Sequence, residues 1–246
     1  MNKLYVVGIG PGNYDNMTIR ADKALKDSDV IVGYGVYVDL VKDRYSEKEF
    51  FTSPMTKEVL RCEKAVDFAA EGKTVSLICS GDSGIYGMAA LIYEVAESKN
   101  ALDKIEIEVI PGITSASSGS ALLGAPLTHD FAVISLSDRL TPWEQIEERL
   151  KRAAEGDFAI AIYNPASKGR PDYLKRACEI LDGIIPVERP CGIARNIGRE
   201  GESARVLTFG ELASADVDMF CTVFIGNSST RIIDGKLVTP RGYRDV

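Results

Sequence analysis

The stretch Lys3-Leu4-Tyr5-Val6-Val7-Gly8-Ile9-Gly10-Pro11-Gly12 runs from an apolar segment into a glycine-rich loop. Residues 3–9 are rich in valine, tyrosine and leucine, so we expect a buried strand that ends in a tight loop. A helix is predicted at residues 18–26, with Thr18 as its N-cap. A strand, a glycine-rich loop and a helix in this order are typical of an α/β sheet.

The first half of the chain repeats this order of strand and helix. Apolar runs predict further strands, and helical spacing of apolar residues predicts helices, up to about residue 123. The predicted strands are 29–32, 74–79 and 105–110, and the predicted helices are 57–70, 85–96 and 114–123. This alternation predicts a mostly parallel sheet that is covered by helices.

The segment Gly124-Ala125-Pro126-Leu127-Thr128 interrupts the alternation, and we place a domain boundary there. The sequence therefore predicts two α/β domains, residues 1–123 and residues 124–246. The second is expected to be more mixed, and a cleft between the two domains is the expected ligand site. Its predicted strands are 131–136, 158–163, 191–195, 204–208, 221–225, 231–233 and 236–238, and its predicted helices are 142–154, 171–181 and a short one near 210–213.

The composition is that of a globular protein and narrows the classes of partner. Of the 246 residues, 45% are apolar and 26% are charged, and the net charge is −7. This charge disfavours bulk binding to nucleic acid or to anionic lipid, and no apolar run is long enough to span a membrane. Five scattered cysteines without a CxxC pair, and the lack of a signal-peptide pattern, predict reduced thiols without a metal site and a cytoplasmic location.

The first glycine-rich loop has the spacing Gly-x-Gly-Pro-Gly, from Gly8 to Gly12. Dinucleotide sites have Gly-x-Gly-x-x-Gly instead, and Pro11 lacks the N–H that a loop around a pyrophosphate needs. A nicotinamide-dependent oxidoreductase is therefore disfavoured. A loop that brings the backbone close to a ligand and a plain structural turn both remain open.

Two further glycine-rich loops also follow predicted strands. Residues 79–87 contain three glycines that let the backbone approach a ligand, and Asp82 supplies an acceptor. An ordinary helix N-cap beside a tight turn is the alternative there, and Thr114 and Ser115 in the third loop are also ordinary capping residues. The carboxyl ends of parallel strands form the ligand-binding edge of an α/β sheet, so three such loops together favour a binding site.

Together, the three loops resemble those of the tetrapyrrole methyltransferase superfamily, which includes the uroporphyrinogen III and precorrin methyltransferases and diphthine synthase. They match its Val-Gly-x-Gly-Pro-Gly opening, its Gly-Asp-Pro loop with Ser83 in place of proline, and its Pro-Gly-x-Thr/Ser-Ser loop. Blocks in the second half narrow the resemblance to the precorrin-3B C(17)-methyltransferases and cobalt-factor III methyltransferases. These blocks are residues 124–131, 134–138, 141–144, 163–167 with 170–171, 194–202 and 225–230.

This resemblance covers residues 3–240 and implies a fold, an activity and a set of contacts. It implies two α/β domains with S-adenosylmethionine in the cleft between them, and a homodimer. It also implies methylation at carbon 17 of precorrin-3B or cobalt-factor III in cobalamin biosynthesis, with contraction of the macrocycle and S-adenosylhomocysteine as the second product. Carried over by position, the cofactor contacts are Pro11, Ser80, Gly81, Asp82, Ile85, Thr114, Ser115, Asn164, Ala194 and Asn227.

Other side chains are candidates for contact with the macrocycle. His129, the only histidine of the chain, is a candidate for proton transfer, and a structural role is the alternative. Tyr34 is the second candidate catalytic residue, and with Tyr37 it is also a candidate for stacking on the macrocycle, against simple packing. The candidate partners of substrate carboxylates, with ordinary salt bridges as the alternative, are Arg170, Arg195 and Arg199.

Two alternatives for the function stay open. One is another precorrin or uroporphyrinogen methyltransferase of the same superfamily, and the other is a non-catalytic module that binds S-adenosylmethionine. The motifs also leave open whether the tetrapyrrole is metal-free or carries cobalt.

Overall fold

The computed structural model describes residues 2–243. Contacts between Cα atoms divide the chain into two compact units, Met1–Thr114 and Ser115–Val246. Both units combine a five-stranded sheet with helices, so the predicted α/β class is confirmed.

The first unit contains one sheet that is parallel throughout, with strand order β3-β2-β4-β1-β5. The mostly parallel sheet predicted for this half is therefore confirmed. Its strands are β1 (Asn2–Gly8), β2 (Val30–Tyr34), β3 (Glu49–Ser53), β4 (Val75–Cys79) and β5 (Ile105–Ile110). Its helices are α1 (Ile19–Asp27), α2 (Gly35–Val38), α3 (Glu58–Ala70) and α4 (Ala89–Ser98), and a short 3-10 helix covers Tyr14–Asn16.

Strand β1 shows why this sheet forms between two layers of helices. Its successive side chains point to opposite faces, so Leu4 and Val6 pack with residues of α3 and α4. Tyr5 and Val7 pack in a second cluster with residues of α1 and α2. A strand that is apolar on both faces is typical of a parallel sheet covered on both sides.

Three elements of the first unit, strand β3, helix α2 and the short 3-10 helix, were missed by the sequence analysis, and one helix was placed too early. Strand β3 lies at the edge of the sheet and mixes exposed and half-buried residues, so it lacks a continuous apolar run. The four-residue helix α2 is too short to show a helical period. Helix α4 was predicted from residue 85 but begins at Ala89, because Tyr86 has a positive φ of 55° and interrupts the helix.

The second unit is more mixed, as predicted. Its main sheet has the order β10-β9-β11-β8-β7, in which β11 is antiparallel to both β8 and β9, and a small sheet has the order β12-β13-β6. Its strands are β6 (Gly124–Ala125), β7 (Phe131–Ser135), β8 (Ala159–Tyr163), β9 (Pro190–Arg195), β10 (Ser203–Thr208), β11 (Cys221–Ile225), β12 (Arg231–Ile233) and β13 (Lys236–Val238). Its helices are α5 (Ser115–Leu123), α6 (Trp143–Glu155), α7 (Tyr173–Leu181) and α8 (Phe209–Leu212).

The packing of helix α5 explains why the boundary between the two compact units lies before Ser115. Ala116 and Leu123 of α5 are buried in one cluster with Ala161, Ala194 and Phe224 of the second sheet. The helix therefore belongs to the second compact unit by its packing. The domain boundary predicted after residue 123 stays a prediction.

The cysteines and the helix lengths bear on two further expectations. All five cysteines are free and buried, which agrees with the predicted thiols. Within residues 2–243, none of the helices combines the length and the apolar character that a membrane span requires.

Candidate functional site

The first two glycine-rich loops are joined by main-chain hydrogen bonds at the carboxyl edge of the first sheet. β1 and β4 are neighbouring parallel strands, so their following loops leave the sheet side by side. Gly10 N–H donates to the Gly81 carbonyl at 3.1 Å, and Gly81 N–H donates to the Gly10 carbonyl at 2.7 Å. The predicted contact residues Pro11, Ser80 and Gly81 are thus brought together.

Asp82 joins the second loop to the third. Its Oδ1 accepts hydrogen bonds from the N–H groups of Gly84, at 2.8 Å, and Ile85, at 3.0 Å. Its Oδ2 accepts from the N–H of Gly112, which follows β5, at 2.9 Å. A carboxylate with three backbone donors fixes the loops firmly, so Asp82 organises the edge of the sheet in addition to being a predicted contact.

Several glycines are required by contacts between the loops themselves. A Cβ added to Gly8 would lie 2.6 Å from the Gly112 nitrogen and 2.7 Å from the Gly81 oxygen. One added to Gly112 would overlap the Gly81 oxygen, and one added to Gly87 would overlap the Ser83 oxygen. The backbone of its own loop therefore already requires a glycine at Gly87, and its approach to a ligand stays a prediction.

Ser83 has a structural role at the position where the superfamily has proline. It is fully buried, and its Oγ donates to the Ile110 carbonyl at 3.1 Å, which ties the second loop to the end of β5. Ile85 and Tyr86, which follow it, are exposed apolar side chains, at 41% and 56% of their surface. The second loop is thus anchored at Ser83 and presents Ile85 to solvent.

The third loop completes the edge in the first unit. Thr114, the last residue of this unit, comes four residues after β5 ends and is half-buried. The strands that precede the three loops are β4, β1 and β5, which lie next to one another in the sheet. The structure therefore collects Pro11, Ser80–Ile85 and Thr114 at one edge, as predicted. Ser115 begins α5 in the second unit.

Tyr34 lies at the same carboxyl edge, where β2 ends. Its ring makes an edge-to-face contact with the ring of Tyr37, with 5.2 Å between ring centroids and 86° between ring planes. The guanidinium carbon of Arg61 lies 5.9 Å from the centroid of the Tyr34 ring. Both tyrosines are half-buried, so their rings are packed together but retain some exposed surface.

In the second unit, the predicted cofactor contacts lie at different places along the sheet. Asn164 follows β8, is exposed, has a positive φ of 54°, and donates from Nδ2 to the Ser135 Oγ at 2.9 Å. Ala194 is fully buried within β9, in register with Thr222 of β11 and Ala204 of β10. Asn164 and the end of β9 share one edge of the sheet, because β8 and β9 are both antiparallel to β11.

Asn227 does not join this set. It follows β11, which runs opposite to β8, so it lies at the other edge of the sheet from Asn164. Its buried Oδ1 accepts from the N–H and Oγ of Ser229 and from the Oγ1 of Thr230, at 2.9–3.1 Å. These three bonds close the turn after β11, which is sufficient reason for an asparagine there.

His129 also lies at that other edge, because it comes just before β7, which is parallel to β8. Five residues of β8 separate this edge from Asn164, a distance of roughly 17 Å. His129 is exposed, its Nδ1 accepts from the Asp130 N–H at 2.8 Å, and it lies 3.5 Å from Asp130 Oδ2. The structure therefore does not bring His129 together with Asn164.

The arginines predicted to meet substrate carboxylates have partners within the protein. Arg170 forms an ion pair with Asp138 at 2.5 Å, and Arg195 pairs with Asp216 at 2.8 Å and with Asp218 at 3.3 Å. The Arg199 guanidinium lies over the Phe220 ring, 5.5 Å from its centroid. These contacts match the ordinary roles that were the alternative to substrate binding.

Arg195 also lines a depression in the surface of the second unit. This depression has a volume of about 370 Å³, and its lining includes Ser203 and Arg205 of β10 and Asp216. It includes none of the residues predicted to contact the cofactor. Because Arg195 ends β9, the depression lies at the end of β9 that shares an edge with Asn164.

Arg61 was missed by the sequence analysis. It lies on α3 with only 3% of its surface exposed, and it contacts Ser53 at the end of β3 and Met88 just before α4. The sequence held a signal for its burial, because Arg61 precedes Ala65 and Ala69 at the four-residue spacing of the buried face of α3. A charged residue in an apolar stripe is a feature that pattern analysis can detect.

Comparison with known proteins gives the family and two similar enzymes. The tetrapyrrole (corrin/porphyrin) methylases match residues 3–213. A probable cobalt-factor III C(17)-methyltransferase of Salmonella typhimurium is 45% identical over 240 residues, which cover 98% of this chain and 99% of that protein. A precorrin-3B C(17)-methyltransferase of a Sinorhizobium species is 39% identical over 246 residues, covering 98% of this chain and 96% of that protein.

Solved structures share the fold of this chain. The crystal structure of the methyltransferase CobJ has a TM-score of 0.92 and 36% identity, and the match covers 98% of this chain and all of that one. A Thermus thermophilus uroporphyrin-III C-methyltransferase complexed with S-adenosylhomocysteine has a TM-score of 0.67 at 19% identity, covering 91% and 92%, which shows a shared fold. The chain belongs to the tetrapyrrole (corrin/porphyrin) methylase family.

Proposed function

We propose that this protein transfers a methyl group from S-adenosylmethionine to carbon 17 of cobalt-factor III, with contraction of the macrocycle, in cobalamin biosynthesis. The observation that carries the proposal is the set of three linked loops at the carboxyl edge of a parallel sheet, which matches the motifs of the family. The relatives named for this reaction match over nearly the whole chain.

The chemistry of the loops favours S-adenosylmethionine over a nucleotide phosphate. The segments 8–18, 80–88 and 111–114 contain neither lysine nor arginine, and Pro11 removes one N–H donor. They offer backbone carbonyl and N–H groups beside the carboxylate of Asp82, which suits a ligand that has an ammonium, a carboxylate and an adenosine. The Thermus thermophilus enzyme of the same fold was solved with the corresponding product.

The residues proposed to hold this cofactor in the first unit act mainly through their backbone. Asp82 fixes the second and third loops by its three hydrogen bonds, and Ser83 anchors the second loop to β5. The proposed contacts are Pro11, Ser80, Gly81, Asp82, Ile85 and Thr114. The contacts that the resemblance implies for Ser115, Asn164 and Ala194 stay predictions, and the proposal assigns no role to Asn227.

Orientation is the main contribution that the protein makes in this proposal. When bound, S-adenosylmethionine supplies a methyl group on a positively charged sulfur, which is already activated for transfer. The rigid loop edge fixes the donor, and alignment of the accepting carbon with the sulfur–methyl bond then accounts for most of the acceleration. Tyr34, at the same edge, is the residue we propose beside the macrocycle, and His129 is assigned no catalytic role.

Cobalt-factor III is the first candidate substrate because the sequence identities to the two relatives differ. The relative named for cobalt-factor III is 45% identical to this chain, whereas the relative named for precorrin-3B is 39% identical. Precorrin-3B is therefore the second candidate substrate.

Incubation with each tetrapyrrole tests the proposal. The protein and S-adenosylmethionine are mixed anaerobically with cobalt-factor III or with precorrin-3B, and the products are analysed by mass spectrometry. We expect cobalt-factor III to gain one methyl group. Gain on precorrin-3B alone would favour the second candidate, methylation of another precorrin instead would favour a different member of the superfamily, and tight cofactor binding without turnover on any tetrapyrrole would favour a binding module.

A homodimer and a cytoplasmic location also belong to this proposal. Both are typical of the superfamily that the motifs resemble, and reduced buried thiols suit a reducing compartment. Light scattering after size-exclusion chromatography measures the mass, and a mass of one chain at micromolar concentration would contradict the dimer. Fractionation of cells tests the location.

A further inference from the structure

Arg61 is the one buried cationic side chain among residues 2–243. Arginine side chains carry a positive charge in proteins. An ion pair requires a carboxylate within 4.0 Å, and none of the described carboxylates lies that close. A buried charge without a counterion is strongly unfavourable, so this arrangement calls for an explanation.

The contacts of Arg61 are with neutral groups, and they leave donors unused. Nε donates to Ser53 Oγ at 3.0 Å, Nη2 donates to the Pro54 carbonyl at 3.1 Å, and Nη1 lies 3.4 Å from the sulfur of Met88. A guanidinium has five N–H groups in a planar fork, so each terminal nitrogen keeps one N–H beyond these contacts. Two N–H groups on neighbouring nitrogens match the two oxygens of a carboxylate.

Glu58, at the start of α3, does not supply that carboxylate. Glu58 is three residues before Arg61, the spacing at which a helix commonly forms an ion pair. Its Oε1 instead accepts from the N–H of Thr56 at 3.2 Å.

The position of Arg61 points to a ligand at the carboxyl edge of the first sheet. Ser53 ends β3, Tyr34 ends β2, and Met88 lies between the second glycine-rich loop and α4, so Arg61 reaches two strand ends and that loop from α3. In parallel α/β sheets this edge is the place where ligands bind. Pro54 is exposed, so the Nη2 side of the guanidinium lies next to the surface.

Met88 is the neighbour that a ligand can replace most easily. A thioether sulfur is a weak hydrogen-bond acceptor, and an unbranched methionine side chain moves readily to another rotamer. A carboxylate in its place would give two charge-assisted hydrogen bonds and the missing counterion.

We propose that Arg61 binds a carboxylate side chain of the tetrapyrrole substrate, beside Tyr34, and thereby orients the macrocycle at this edge. This inference rests on the proposed function, which supplies a substrate with several carboxylates. It adds a specificity-determining residue whose charge is left without a counterion until the substrate arrives.

Variants at Arg61 and Met88 separate this role from a purely structural one. Arg61→Met removes the charge and keeps much of the volume, and Arg61→Lys keeps the charge without the fork. Met88→Glu places a carboxylate of the protein beside Arg61, and Met88→Gln is its uncharged control of the same shape. Arg20→Met removes an exposed arginine that is paired with Glu108, and it serves as the control in the same unit.

We expect Arg61→Met to raise KM for cobalt-factor III by about 10- to 100-fold, because a charge-assisted bidentate contact is lost. The kcat of this variant should stay within a few-fold of the wild-type value. The Kd for S-adenosylmethionine, measured by calorimetry, should stay unchanged. The Tm without substrate should not fall, because an uncompensated buried charge has been removed. Met88→Glu should raise both Tm and KM, whereas Met88→Gln and Arg20→Met should leave KM near its original value, and Arg61→Lys should lie between the extremes.

Other outcomes overturn the inference. If Arg61→Met and Met88→Glu leave KM unchanged, Arg61 does not bind the substrate. If Arg61→Met lowers Tm sharply and Met88→Glu leaves KM and Tm unchanged, the residue is structural. Absorbance titration measures tetrapyrrole binding separately from methylation. If the wild-type protein binds cobalt-factor III without methylating it, the proposed function is refuted. The comparison of tetrapyrrole binding by the Arg61 variants still decides the inference.

Discussion

The two units of the chain hold their strand ends together in different ways. In the first unit, parallel strands deliver three loops to one edge, and backbone groups bond to one another or to a single carboxylate, as Gly10, Gly81 and Asp82 show. In the second unit, strands run in both directions. There the Asn164 amide links the ends of β7 and β8, and the Asn227 amide closes the turn after β11. The hydrogen bonds at the strand ends of the first unit thus lie at one edge of its sheet, whereas those of the second unit lie at two edges.

This difference shows which predicted residues act as a group. A residue after any strand of the parallel sheet reaches the same edge, so a motif in the sequence also indicates a place. In the mixed sheet, the place depends on strand direction, and Asn227 and His129 lie opposite Asn164 for that reason. The variants below test whether the methyl donor depends on the first unit's edge more than on the second unit's turns.

The largest effect is expected from Gly112→Ala. The added methyl group would overlap the Gly81 oxygen and lie 2.6 Å from the Gly8 carbonyl carbon, so the loops must move apart. We expect a loss of about 2–3 kcal/mol in the free energy of unfolding, as for other overpacked sites. Affinity for S-adenosylmethionine should fall by about tenfold or more, equivalent to at least about 1.4 kcal/mol.

Urea denaturation and calorimetry measure these two quantities. Gly169→Ala is the matched control in the second unit, because a Cβ there meets no atom within 4 Å. Unchanged cofactor affinity in a folded Gly112→Ala protein would contradict the assignment of this edge to the cofactor.

The next effect compares Asp82→Asn with Asn227→Ala. Asp82→Asn replaces one carboxylate oxygen by an NH₂ group, which cannot accept a hydrogen bond. The side chain therefore loses either the bond from Gly112 or the bonds from the second loop. Asn227→Ala removes an oxygen that accepts three hydrogen bonds. Both variants should lose about 1–3 kcal/mol of stability, because N–H and O–H donors lose their acceptor.

Cofactor affinity should separate these two variants. We expect Asp82→Asn to weaken S-adenosylmethionine binding by about tenfold, one interaction of about 1.4 kcal/mol, and Asn227→Ala to leave it unchanged. Calorimetry on the folded proteins decides. An equal loss in Asn227→Ala would restore this asparagine to the cofactor site.

The fold was predictable wherever a strand or helix has a strong local pattern. β1, β4 and β5 are apolar runs followed by glycine or proline, so their existence and order follow from the sequence. β3 was missed because an edge strand is covered on fewer sides and therefore tolerates polar residues. Its place beside β2 is set by pairing between distant residues.

The site was predictable in its loops and less so in its side chains. Glycine spacing identifies the three loops, but the contact of Gly112 with Gly81 depends on the neighbouring positions of β5, β1 and β4. The direction of β11 is likewise a tertiary property, and it decides the edge at which Asn227 lies. Arg61 is intermediate, since its helical spacing predicts burial but its lack of a counterion appears only in three dimensions.

A smaller effect concerns the buried thiols, which both units contain. Burial raises the pKa of Cys79 in β4 to about 11 and that of Cys191 in β9 to about 12, above the ordinary value of 9.0. Because the folded-state pKa is raised, the contribution to stability is complete below pH 9. It declines above pH 9 and is fully lost once the pH has risen through 11 to 12. Between pH 8 and pH 10, each thiol should account for about 1 kcal/mol of lost stability.

Urea denaturation under reducing conditions measures this loss. Cys79→Ala and Cys191→Ala should each make the decline between pH 8 and pH 10 shallower by that amount, whatever their effect at pH 8. This property is common to the two units and independent of the cofactor edge, so affinity for S-adenosylmethionine at pH 8 should be retained in Cys191→Ala. If stability declines with pH at the same slope in the variants and the wild type, the thiols ionise equally in the folded and unfolded protein, which would contradict the prediction.

The smallest effect is expected from His129→Gln, compared with Tyr34→Phe. His129 is exposed at the edge of the second sheet away from Asn164, whereas Tyr34 ends β2 at the carboxyl edge of the first. We expect kcat of His129→Gln to stay within about threefold, whereas loss of a general acid or base lowers the rate by about 100- to 10,000-fold. Tyr34→Phe keeps the ring but removes the hydroxyl, so any role of that group in proton transfer appears as a change in the pH dependence of kcat. If His129→Gln loses activity and its pH profile flattens while Tyr34→Phe is unaffected, the proton-transfer residue belongs to the second unit and the contrast between the two edges fails for catalysis.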